Sequence, residues 1–127
     1  MTDLITHKHT EINTSGSRIG RFMHTSNGQQ YWPLDPRPEE VHLEVVAHHL
    51  ATRARYNGAT QHPIYHDRIL YSVAEHSVLV SRFLEEVMGR PDLALEGLLH
   101  DGSEAYNGDL IRPLKYDKAF KAPFQVV

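Results

Sequence analysis

The residues best equipped for chemistry in this 127-residue chain are histidines and carboxylates. It carries ten histidines and no cysteine. Any metal site must therefore use imidazole and oxygen donors, and neither disulfides nor thiolate centres can form. His100 is followed at once by Asp101, and Glu104 lies one helical turn beyond. Residues three and four apart share a helix face, so His100, Asp101 and Glu104 are expected to point into one pocket. Imidazole with carboxylate suits a divalent ion such as Mn, Fe, Co, Ni, Zn or Mg. A carboxylate one turn away suits proton transfer as water is activated. His76 falls on the apolar stripe of an earlier segment, with its imidazole aimed into the core. A lone histidine there is more often a hydrogen-bonded core residue than a ligand. The His-Asp pair on another helix supplies the facing donors that a metal in a helical bundle needs. His62 and His66, in a polar loop around Pro63, are the alternative pair for a second metal site; the other histidines read as surface or capping residues.

Three helical segments must hold these groups. The first begins at Glu39, with Val41, Val45, Val46, His49 and Leu50 recurring at three and four residues, and Asn57-Gly58 supplies left-handed cap chemistry for its end. The second is predicted from about Ser72 to Met88, with Val73, Val80, Leu84 and Val87 as its stripe and Gly89 as its stop. The third starts at Pro91-Asp92, carries Leu93, Leu95, Leu98 and Leu99, and closes near Asn107-Gly108. The remainder, Asp109 to Val127, has room for one short helix. Ahead of the helices, Asn27-Gly28 between two short apolar-aromatic runs predicts a β-hairpin, and Pro33, Pro36 and Pro38 a stiff connection. Residues 1–17 are polar and aperiodic and read as a flexible arm. The fold class is mainly α, a helical bundle with a short N-terminal β-hairpin.

Composition sets the outer bounds. With 40% apolar and 23% charged residues the chain reads as one globular domain. A formal charge of -3 gives no electrostatic support for nucleic-acid binding. No apolar run has the length of a membrane span, and the polar N-terminus lacks the apolar core of a signal peptide. The expectation is a cytoplasmic protein without a membrane partner.

Two stretches carry a specific resemblance. Tyr71-Ser-Val-Ala-Glu-His76-Ser-Val-Leu-Val-Ser81 and Leu98-Leu-His100-Asp101-Gly-Ser-Glu104-Ala-Tyr-Asn-Gly-Asp109-Leu-Ile-Arg-Pro-Leu-Lys115 together resemble the HD-domain metal-dependent phosphohydrolases. The likeness is greatest to the small bacterial and phage branch near the 5'-deoxynucleotidases and deoxynucleoside triphosphate hydrolases, and spans roughly residues 18–117. It implies an HD-type domain over 18–127, with His76, His100 and Asp101 as ligands of a divalent metal. Glu104 would activate or protonate during hydrolysis. Asp109 would orient the attacking water or a sugar hydroxyl. Arg55 and Lys115 would contact phosphate, and Tyr56 would lie beside the nucleotide. Arg55 and Lys115 read equally well as solvated surface cations, and Asp109 as the cap of a turn.

The resemblance implies a phosphohydrolase acting on a deoxynucleoside mono- or triphosphate through a water activated by the metal, in a homodimer or larger assembly. Family members complete the site with a later aspartate, whereas only Asp109 and Asp117 follow Asp101 here. The chain is accordingly expected to be C-terminally incomplete, or a short member with a partial site. In either case apolar helix surface would be left uncovered, favouring self-association. The alternative reading is a non-catalytic or truncated HD module that binds metal or nucleotide.

Overall fold

The computed structural model describes residues 18–119. The N-terminal arm expected over residues 1–17 lies outside the described residues. The architecture is mainly α with a small antiparallel sheet near the N-terminus.

The hairpin forms as Asn27-Gly28 predicts. Strands β1 (Met23–His24) and β2 (Gln30–Tyr31) pair antiparallel, with Met23 opposite Tyr31 and His24 opposite Gln30. Gly28 adopts φ +78°, open to glycine at no steric cost, and Asn27 Oδ1 accepts the Gln29 N–H at 3.2 Å. Phe22 and Trp32 are buried beside it. Arg18 lies 4.0 Å from the Trp32 ring centroid and pairs with Asp35 and Glu40, which ties the start of the hairpin to the proline-rich connection.

Helix α1 spans Leu43–Thr52, after a separate 3-10 turn at Pro38–Glu40. It ends earlier than its periodicity suggests, because the chain turns extended at Arg53 to pair with the entry of the next helix. The Arg53 carbonyl accepts from Val73 N at 2.9 Å, and Arg55 N donates to the Tyr71 carbonyl at 2.8 Å. Asn57-Gly58 therefore does not cap this helix. It belongs to its own turn, Arg55–Gly58, in which Tyr56, Asn57 and Gly58 all have positive φ.

Helix α2 spans Val73–Arg82 and is capped by Ser72, whose hydroxyl accepts from Glu75 N at 3.1 Å. It widens into a π-helical segment, Phe83–Val87, closed by Met88 N donating to the Phe83 carbonyl at 3.0 Å. The widened turn rotates the end of the predicted stripe away from the core, and Val87 is exposed.

The third predicted helix is two helices. Helix α3 spans Ala94–Leu99 and helix α4 spans Glu104–Asn107. Between them, tight i to i+3 bonds run from Gly102 N to the Leu99 carbonyl and from Glu104 N to the Asp101 carbonyl. Helix α5, Arg112–Lys115, is the short helix expected in the final stretch.

Tyr31, Val45, Leu50, Val73, Ala105 and Tyr106 form the core, with the Tyr31 and Tyr106 rings stacked at 4.0 Å. His49 clasps it: Nδ1 donates to the Ala105 carbonyl at 2.8 Å and Nε2 accepts from Ser26 N at 3.0 Å. Helices α2 and α3 meet at buried Gly97, where a Cβ would stand 2.5 Å from Leu84 Cδ1. Beyond that seam Leu79, Phe83, Val87, Leu95 and Leu99 are exposed.

Candidate metal centre

His76 projects from the second turn of α2, whose Val73 and Ser77 are buried, so its ring is held half-buried at the edge of the core. The turn between α3 and α4 supplies His100 and Asp101. His100 Nδ1 lies 2.6 Å from the Gly97 carbonyl oxygen. A carbonyl only accepts, so Nδ1 carries a proton and donates it. If the ring is neutral, Nε2 presents a lone pair, and this nitrogen stands 3.0 Å from Asp101 Oδ2. His76 Nε2 is 3.4 Å from the same carboxylate oxygen. A lone pair facing a carboxylate at such a distance is repulsive, and a metal ion held by both would relieve it. One ligand atom from each of His76, His100 and Asp101 lies within 4.8 Å of the others, and this group can hold a metal ion. The Gly97 bond orients the imidazole as outer partners of metal-bound histidines do.

Electrostatics favour the ligand form of His76. Burial holds its pKa below the ordinary value, helped by the Arg55 and His100 charges and opposed by Asp101 and Asp109. A neutral imidazole is the form that binds metal. Glu104 opens α4. Burial, with the Asp101 and Asp109 carboxylates nearby, raises its pKa to about 7, against the pull of Lys115 and Arg53. A carboxyl poised there can both give and take a proton near neutrality.

A cavity of about 640 Å³ gathers every residue to which the resemblance gave a role: His76, His100, Asp101, Glu104, Asp109, Arg55, Tyr56 and Lys115 all line it. The route differs from the expected one. His100, Asp101 and Glu104 converge through the tight turn between two short helices, not along one continuous helix face. Arg55 reaches the wall because the extended Arg53–Ala54 stretch and its left-handed turn carry it there. Its guanidinium lies 4.7 Å from the Tyr56 ring centroid and 5.3 Å from that of Tyr71. Two tyrosines thus hold a cation at the cavity wall.

Arg112 and Tyr116 also line the cavity and were not singled out. The signal for Arg112 was available, since it lies three residues before Lys115 and shares its helical turn. Tyr71 has no such signal; it is placed by the pairing of Arg55 with its own carbonyl. His62 and His66 form no second centre. His62 Nδ1 accepts from Ile64 N and Tyr65 N, and among the described residues the group of three ligand side chains is the His76 one alone.

No protein-family model matches the chain. It is similar to an uncharacterized protein of Rhodobacter capsulatus, 41% identical over 95 residues that cover 70% of this chain and 44% of that protein. It is also similar to the uncharacterized protein YfdR of Escherichia coli, 30% identical over 94 residues that cover 74% of this chain and 46% of that protein. The chain thus spans less than half the length of either relative.

Proposed function

We propose that this chain is an HD-type phosphohydrolase domain that uses a divalent metal ion to hydrolyse a nucleotide, a deoxynucleoside mono- or triphosphate. The observation that carries this reading is one cavity lined by a two-histidine, one-aspartate group, a carboxyl of raised pKa and three cationic side chains. Hydrolysis of a phosphate ester or anhydride needs these parts: charge neutralisation on the phosphoryl oxygens and an oriented, deprotonated oxygen nucleophile.

His76, His100 and Asp101 would hold the ion. When bound, it neutralises phosphate charge and acidifies water. Glu104 takes a proton from the attacking water and can return one to the leaving oxygen, since its pKa lies near neutrality. Asp109 offers an acceptor that orients water or a sugar hydroxyl. Arg55, held against two aromatic rings, presents planar donors to phosphate oxygens. Lys115 and Arg112 add charge from α5.

The test is release of phosphate and pyrophosphate from ribo- and deoxynucleotides, with Mn, Co or Mg added, by this chain and by Asp101→Ala. Metal-dependent release that falls about a hundredfold or more in the variant is the expected result. The identity of the product then separates monophosphate from triphosphate substrates. No release with any metal from the folded chain would replace this reading with a non-catalytic HD module that binds metal or nucleotide.

A further inference from the structure

Asp109 lines two cavities. The second, of about 540 Å³, shares only that residue with the metal-binding cavity, and Arg53, Asn57, Met23 and His49 lie in its wall. Its polar groups divide into committed and uncommitted ones. Both ring nitrogens of His49 are used within the fold. The Thr52 hydroxyl lies within bonding distance of the His48 and His49 carbonyls. Arg53 differs: its Nε is buried with no hydrogen-bond partner among the described residues. Elsewhere in the chain, Arg18 is paired with Asp35 and Glu40, and Arg90 with Asp92. The Arg53 Nε is sealed from the cavity, so a ligand there can meet only the terminal nitrogens of the guanidinium, whose charge also acts on Glu104.

The Arg53 backbone is anchored and its guanidinium packs beside Gly108. Its backbone carbonyl is bound by Val73 N, and its Nη1 lies 3.4 Å from where a Cβ on Gly108 would stand. Gly108, at φ +82°, immediately precedes Asp109. The same short stretch therefore seats the guanidinium and the carboxylate shared by the two cavities.

We propose that the second cavity is the base subsite, and that Arg53 selects guanine. This rests on the nucleotide-hydrolase reading. With the phosphate in the first cavity and the sugar at Asp109, the base enters the second. A guanidinium fork is all donors and matches an edge with two adjacent acceptors, such as guanine O6 and N7. Adenine places its N6 amino donor beside N7 and meets the fork with like polarity. The Asn57 amide stands at the same wall as a further donor and acceptor, and Met23 adds an apolar surface for the ring.

The test uses nucleosides, which lack the phosphate. Deoxyguanosine and deoxyadenosine are titrated calorimetrically into the Asp101→Ala chain, alone and with Arg53→Ala or Asn57→Gly added. Asn57 already has φ +52°, so glycine accepts its backbone without strain and removes only the amide. Deoxyguanosine is expected to bind about tenfold or more tightly than deoxyadenosine. Arg53→Ala should abolish that preference and Asn57→Gly weaken deoxyguanosine binding. Equal binding of the two nucleosides, no binding of either, or indifference to both substitutions overturns the proposal. If Arg53→Ala does not fold, Asn57→Gly decides. Arg53-dependent guanine binding without phosphate release would leave this subsite standing and remove the hydrolase reading. Phosphate release with identical KM for dGMP and dAMP would do the reverse.

Discussion

The chemistry of the His76, His100 and Asp101 group turns on where protons sit. His100 is oriented by one backbone carbonyl, and burial and neighbouring cations favour neutral His76. Glu104 is the residue whose titration should be visible in stability. Its folded pKa of about 7 lies above the ordinary 4.5, so between these values the folded chain binds more protons than the unfolded one. Stability from this group is full below about pH 4.5 and is lost as pH rises through 7. Glu104→Gln removes the charge and should make the metal-free chain more stable than the parent above pH 7, by about 1–2 kcal/mol once solvent screening is allowed for. Below pH 4 the two should coincide. Urea unfolding across this range, with chelator present, checks it; a gap that is constant with pH would refute the assignment. The same substitution should lower any hydrolysis by about a hundredfold.

At the scale of elements, short pieces do the positioning. Helices α3 and α4 each have only a few residues, and the turn between them directs His100 and Asp101 at His76. That geometry depends on how closely α3 approaches α2. Gly97 permits the approach, since a Cβ there would lie 2.5 Å from Leu84 Cδ1 and 3.2 Å from Val80 Cγ1. Gly97→Val should therefore force α3 away, destabilising the fold by about 1–3 kcal/mol. Because the Gly97 carbonyl also holds His100, metal affinity should fall in the same variant. Thermal unfolding and a metal titration on the one protein check both; an unchanged metal affinity would separate the seam from the site.

Across the whole molecule, two properties depend on more than one element. The His76 group joins α2 to the α3–α4 turn, so a bound ion crosslinks them and should raise the unfolding temperature. The rise follows mass action, about 2.7 kcal/mol at a hundredfold excess over Kd, and it should disappear in His76→Ala. Scanning calorimetry with Mn, Co or Zn against chelator gives the answer, and an equal rise in the variant would place the ion elsewhere. The other property is the apolar surface of Leu79, Phe83, Val87 and Leu95, which is open in the isolated chain. Large apolar side chains left exposed in this way favour association. Sedimentation should show concentration-dependent self-association, reduced by Phe83→Ser; a monodisperse monomer at all concentrations would contradict it.

Local chemistry made much of this protein legible in its sequence. Asn27-Gly28 specifies the hairpin because its turn requires a left-handed backbone, and Ser72 specifies the start of α2 because its hydroxyl satisfies an otherwise unpaired amide. The types and spacing of His76, His100, Asp101 and Glu104 likewise identify residues that come together in one cavity. The tertiary structure decided where the helices stop. Periodicity carries α1 onward to Asn57-Gly58, yet the chain leaves the helix at Arg53, where backbone bonds to Tyr71 and Val73 compete with the next helical turn. Periodicity also makes one helix of residues 91–107, yet the tight bonds after Leu99 divide it. Such bonds join residues distant in sequence, or trade one local bond for another of similar strength, and only packing selects among them. Arg53 came to its cavity, and Tyr71 to the Arg55 guanidinium, by the same route. Their positions follow from pairing between segments, which residue type and spacing do not encode.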